Sequence, residues 1–211
     1  MESYENLQKL SYALIIIMLM FNFLGSTVYE QEIDDDTGGA TLEYYLDEAE
    51  IKDEYGGDSV SYSAMGFSKM DNFMTNLGYL TLLTLLASAF FGWKIKEVME
   101  GSDDLEIGSD DLERVQIAGY VVSILAILSV LYPVYGIPNA LEDDWKGGAF
   151  DEGDGFDYDG GFIGEEKIDD PEWGEMVFDS GPGMGWYFLV MGGILGIAIY
   201  NGVKNLDGRL N

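Results

Sequence analysis

The chain has 211 residues, with 39 Asp and Glu against 10 Lys and Arg, for a formal net charge of -29. That sign excludes nucleic-acid binding, because phosphate recognition runs on Lys and Arg. Histidine and cysteine are both absent, which removes thiol nucleophiles, the usual catalytic base, Cys/His zinc sites, haem ligation through His and disulfides, so an enzyme is not expected.

The mean hydropathy of +0.03 averages two opposite materials. Four runs of about twenty residues, at 10–27, 73–93, 115–137 and 184–203, contain no Asp, Glu, Lys or Arg. Each is long enough as an α-helix to cross a ~30 Å hydrocarbon core, where only a helix satisfies its own backbone. The expected fold class is therefore an all-α membrane protein. It is a four-helix transmembrane bundle with a small mixed α/β extracytoplasmic lobe made by two acidic loops.

The N-terminal stretch 1–9 carries Lys9, and the first span follows at 10–27. Read as a signal peptide, this run is longer than an ordinary h-region and lacks an A-x-A site, so it is expected to be retained. LIIIMLMFNFL has no small-residue stripe, and Asn22 is its strong polar group. This span is expected to face lipid or a partner.

The first outer loop, 28–72, holds thirteen acids and two lysines. Within it ATLEYYLDEAEIKDEY (40–55) places Leu42, Tyr45 and Leu46 at helical spacing, and DSVSYSAM suits a short strand. The second span, 73–93, carries Thr81, Thr84, Ser88 and Gly92 at spacings of three and four, the small-residue pattern that packs membrane helices. Asn76 in the same run, like Asn22, is expected to form an interhelical hydrogen bond.

The link 94–114 repeats GSDDLE, and Ser109 with Asp110 and Asp111 reads as the cap and dipole-matched start of a helix. The third span, 115–137, offers Gly119, Ser123 and Ala126, with Pro133 near its end. Basic residues concentrate at Lys9, Lys94, Lys96, Arg114, Lys204 and Arg209. The positive-inside rule then puts both termini and this link in the cytoplasm of a plasma-membrane protein, with both long loops outside.

The second outer loop, 138–183, has fifteen acids and two lysines. Its segment DEGDGFDYDGGFIGEE resembles an EF-hand loop, with Asp157, Asp159, Gly160 and Glu166 in place and Asp154 one residue early. The resemblance implies weak Ca²⁺ binding through Asp154, Asp157, Asp159 and Glu166; otherwise no cofactor is expected. An acidic exterior of this density also suits a salty medium, as in a marine or halophilic microbe. The loop aromatics Trp145, Phe150, Tyr158, Phe162 and Phe178, with Phe156 and Trp173, read as a small core or a partner-binding patch. The loops are expected to pack together.

The fourth span, 184–203, aligns Gly185, Gly192 and Gly196 on one face, with Gly192 and Gly196 in a G-x-x-x-G. Such a face seats a neighbouring helix of the same chain or of a second copy. Tyr29, Tyr132, Tyr135, Trp186 and Tyr187 on one side, and Trp93 and Tyr200 on the other, occupy interfacial depths. The layout resembles that of tetraspan proteins of the claudin and tetraspanin type, with cytoplasmic termini, two outer loops and a glycine-rich last span. The claudin W-G-L-W and the tetraspanin C-C-G are absent, so only the layout carries over. Those families organise or adhere.

The expected function is a non-enzymatic membrane scaffold, adhesion protein or accessory subunit of a cell-envelope complex. Its expected partners are the lipid bilayer and a membrane protein or a second copy, with no nucleic acid. The alternative is a cation channel or transporter subunit with an acidic vestibule.

Overall fold

A computed structural model describes residues 2–35, 38–53, 55–101, 109–147, 158–170 and 174–207. In chain order the elements are α1 (Glu2–Phe23), β1 (Tyr29–Asp35), β2 (Gly38–Tyr44), β3 (Ala49–Asp53), β4 (Gly56–Val60), α2 (Ser68–Gly101), α3 (Ser109–Lys146), β5 (Gly164–Asp170), β6 (Gly174–Pro182) and α4 (Met184–Asp207). All four helices are long and apolar enough to cross a membrane. The chain divides into two compact units: Met1–Leu24 with Tyr79–Val130 and Phe188–Asn211, and Gly25–Gly78 with Leu131–Tyr187.

In the first unit the core is Leu7, Leu14, Met18, Phe91, Ile95, Val115, Val122, Ala126, Ile199 and Val203, with neighbours at its ends. Helix α1 contributes through Leu7, Ser11, Leu14, Met18 and Phe21, a four-three spacing that makes one narrow seam. This corrects the expectation that α1 stands apart from a core of the other three helices. The small residues that receive it lie on its neighbours, so inspection of its own residues does not reveal the seam. A Cβ at Gly92 would meet the Ser11 hydroxyl at 2.9 Å, and one at Gly202 would meet Leu7 at 2.6 Å. After Phe23 the chain turns at Gly25, whose φ of +58° is the left-handed conformation that ends helices.

Helices α2 and α3 outrun their uncharged stretches at both ends. Absence of charge marks what hydrocarbon tolerates, whereas hydrogen bonding decides where a helix stops. Helix α3 begins at Ser109, followed by Asp110 and Asp111, and continues through Pro133 and Pro138 to Lys146.

The second unit is built on a six-stranded antiparallel sheet, ordered β4-β3-β2-β1-β6-β5. Strand β1 precedes α2 and β6 follows α3, and their pairing makes one sheet of the two acidic segments. Among the described residues, the parts of the two acidic segments that lie outside α2 and α3 carry antiparallel β and no separate helix. The helix expected over 40–55 is instead the β2–β3 hairpin, closed where the Tyr45 amide donates to the Glu48 carbonyl at 2.9 Å. Leu42, Tyr45 and Leu46 do suit a helix, but Leu42 and Tyr44 also alternate, and β1 supplies a pairing partner that local spacing cannot reveal. DSVSYSAM is strand only as far as Val60.

Along β1 burial alternates strictly: Tyr29 and Gln31 are buried, Glu30, Glu32 and Asp34 exposed. The buried side carries an aromatic core. Tyr44 stacks near Tyr62 and Phe67, Phe67 meets Trp145 edge-on at 5.2 Å, and Phe178 contacts both Trp145 and Tyr158. Tyr29 belongs to this core and is fully buried against Tyr44 and Phe162, not at an interface as expected. Trp145, Tyr158, Phe162 and Phe178 are likewise core; Phe150, Phe156 and Trp173 lie outside the described residues.

Candidate functional site: an acidic sheet face

Period-two alternation sends one side chain in and the next out. In this sheet carboxylates are the commonest outward side chains, concentrated on β1 and its neighbours. Cross-strand register sets Glu30 opposite Glu43 and Glu43 opposite Glu50, and the next row sets Glu32 opposite Asp179 and Asp179 opposite Glu165. Like charges directly opposite one another oppose folding.

Two lysines answer the flanks of this field. Lys52 reaches Glu43 at 2.5 Å and Glu50 at 3.6 Å, while the Tyr45 hydroxyl donates to Glu43 at 2.6 Å. Burial alone would push Glu43 upward. The hydrogen bonds from Lys52 and Tyr45, with the lysine's charge, outweigh it and hold the carboxyl below its ordinary range. Glu30 moves the other way, raised by partial burial and then by the charge of Glu43. Lys167 lies 3.6 Å from Glu165 and 3.4 Å from Glu175. Among the described residues no lysine or arginine bridges Glu32 or Asp179, in the middle of the face, or Asp34 at its end.

Of the candidate calcium ligands, Asp154 and Asp157 lie outside the described residues. Asp159 and Glu166 come together, but the Asp159 amide donates to the Glu166 carboxylate at 2.8 Å. Glu166 also sits at an inward register position, opposite Phe178. Among the described residues no group of three or more carboxylates is arranged to hold a metal ion.

The candidate packing residues distribute over several seams. Thr81, Thr84 and Ser88 are fully buried. Thr81 donates to the Asn22 side chain at 3.0 Å, Thr84 meets Ser129 of α3 at 3.3 Å, and Ser88 accepts from Ser11 through its carbonyl at 2.7 Å. Gly119 faces Val203 and Phe91, while Ser123 donates to the Gly119 carbonyl. Gly185, Gly192 and Gly196 do not share one neighbour. Gly185 lies against the backbone of Ser26 and Thr27, Gly192 against Met18 of α1, and Gly196 against Ala126 and Ser123 of α3. The G-x-x-x-G is thus filled by this chain's own helices. Asn76, expected to bond across helices, is exposed.

Two buried polar features escape a reading of the sequence alone. Asp144, only 4% exposed, accepts the Lys69 amide at 2.9 and 3.1 Å and the Met70 amide at 2.8 Å. A carboxylate at the end of α3 thereby caps the start of α2 from 75 residues away. The second feature is Gln31. Its amide donates to Tyr158 at 2.9 Å and accepts from Tyr44 at 3.1 Å, with Ser180 alongside at 3.4 Å. Its signal was an uncharged side chain at the inward place within Glu30-Gln31-Glu32. Burial, above all, holds the Tyr29, Tyr44 and Tyr62 phenols well above their ordinary pKa. They are neutral structural groups at physiological pH.

No known protein family matches the chain, and no curated protein is significantly similar to it in sequence. The tetraspan resemblance therefore stays one of layout.

Proposed function

We propose that this chain is an integral membrane protein crossing the bilayer four times. Its acidic sheet face serves as the interaction surface of a scaffold, adhesion protein or accessory subunit rather than an enzyme. The observation that carries the reading is the sidedness of the sheet, with aromatics on one face and rows of carboxylates on the other. A face of fixed negative charge selects basic partner surfaces or cations and accelerates their approach. The positive-inside bias orients the termini to the cytoplasm and the sheet outside. Weak Ca²⁺ binding near Asp159 and Glu166 belongs to the same reading, as a counterion for the repelling carboxylates. The hydroxyls of α2 hydrogen-bond within the chain, which supports helix packing over the lining of a cation path.

The test is purification from native membranes in mild detergent, with and without millimolar Ca²⁺, alongside a variant carrying Glu32→Gln, Asp179→Asn and Glu165→Gln. A stoichiometric partner lost from the folded variant supports the reading. A partner retained equally by both proteins sinks the role of this face. Ion flux from liposomes that the variant reduces would move the weight to a cation vestibule.

A further inference from the structure

The sheet ends in two unequal edges. Five of the seven residues of β5 are charged, and such charges keep an edge strand from pairing with other chains. Strand β4, at the other edge, has Asp58 as its one charged residue; Val60 is half-buried and the rest are exposed. Among the described residues no strand covers its outer side. Register sets Asp58 opposite Ile51 and Val60 opposite Ala49, so these two share the inward side, while Ser59 lies opposite Glu50 on the carboxylate side. The Ser59 hydroxyl donates to Glu48 at 3.2 Å. Among the described residues no lysine or arginine pairs with Asp58 or Glu48, and Lys52 is held by Glu43 and Glu50 on the other side of the sheet from Asp58.

We propose that β4 is a docking edge that accepts an added antiparallel strand from a basic partner protein. In strand addition the open backbone of the edge supplies affinity, and the side chains that face each other across the new pair supply specificity. The partner residue facing Val60 is apolar, and the residue two places on, facing Asp58, is Lys or Arg. Opposite charges in directly facing positions favour this register over its reversal. A second copy brings its own Asp58 and Glu48 to the joint, with its Lys52 likewise engaged, so a basic strand is favoured over self-association. The edge is a different surface from the carboxylate face, and either can fail without the other.

The chain has no cysteine, so Ser59→Cys gives the full-length protein a single thiol, placed on this edge. The probes are two peptides of equal composition, Thr-Val-Cys-Lys-Thr-Thr and Thr-Lys-Cys-Val-Thr-Thr, equilibrated with the protein in detergent micelles under a glutathione buffer. Antiparallel pairing through the central Cys sets Lys against Asp58 in the first peptide and against Val60 in the second. The first is expected to give several-fold more mixed disulfide, a preference that adding Asp58→Asn should reduce. Methylating the backbone nitrogens of the first peptide at alternate residues keeps its charge and removes the donors of one side. One of the two methylation patterns should therefore lower the yield and the other leave it unchanged. Tyr55→Cys, 88% exposed ahead of β4, gives the yield of chance encounter. Equal yields from the two peptides, a preference for the second, or a yield no higher than that at position 55 overturns the proposal. Equal yields from both methylation patterns also overturn it, because charge alone is then the attraction. A disulfide-linked dimer of Ser59→Cys that outcompetes the peptides overturns it too, because the occupant is then a second copy.

Discussion

Asp144→Ala removes the acceptor at the start of α2 without touching either amide that it serves. Lys69 and Met70 together make three contacts to the carboxylate between 2.8 and 3.1 Å. Loss of a helix cap costs ~0.5–2 kcal/mol. The Met70 amide is buried, and leaving such a donor unpaired adds ~1–3 kcal/mol, whereas water can reach Lys69. The expected destabilisation is about 2–4 kcal/mol. Asp144→Asn keeps one acceptor oxygen and loses the charge, for about 1 kcal/mol. Equilibrium unfolding in mixed micelles provides the assay. The neighbouring Trp145, 5% exposed and packed on Phe67 and Phe178, supplies an emission signal from the same place. Asp143→Ala, at an exposed neighbouring position, serves as reference and should stay within ~0.5 kcal/mol of wild type. If Asp144→Ala matched that reference, the cross-chain cap would be refuted.

Three further outcomes follow from the geometry. Gly196→Ala drives a methyl against Ala126 and the Ser123 backbone, at 2.8 and 3.3 Å. It should cost ~1–3 kcal/mol by overpacking. Gly192→Ala presses hardest on the flexible end of Met18, with Leu14 and Ile17 at ordinary contact distances of 3.4 and 3.8 Å, and should cost less, so the reverse order in unfolding titrations would contradict the packing described. Neutralising Glu32, Asp179 and Glu165 together should stabilise the fold at low salt by ~0.2–1 kcal/mol per opposed pair. That gain should disappear near 1 M salt, where the Debye length is ~3 Å; a salt-independent gain would mean that repulsion was not its source. As pH falls from neutral, protonation of Glu30, whose folded pKa is raised, should first increase stability. Glu43 has a lowered folded pKa, so its contribution is present above its unfolded pKa and is lost as pH falls through the folded value. The resulting maximum lies between the two folded values. Glu30→Gln should remove its rising limb, and Glu43→Gln the acid-side loss contributed by Lys52 and Tyr45.

Composition and local pattern were enough to locate the four apolar helices, because an uncharged run of that length is a one-dimensional property. They also showed that the segments between the helices are intensely acidic. Tertiary structure decided the rest, wherever a residue's role depends on a partner distant in sequence. Residues 40–55 fit helical spacing and became a hairpin because β1 was available to pair with β2. The α1 seam was invisible in α1, since the hollows that accept Leu7, Ser11 and Met18 are glycines of α2 and α4. Gly192 and Gly196 look like one motif and serve two different helices. Asp144 reads as one acid among many until the fold brings it to the N-terminus of α2, where two backbone amides need an acceptor. The acidic sheet face divides along the same line: the sequence alone showed that the charge was there, and β1–β6 pairing decided that it gathers into rows on one face.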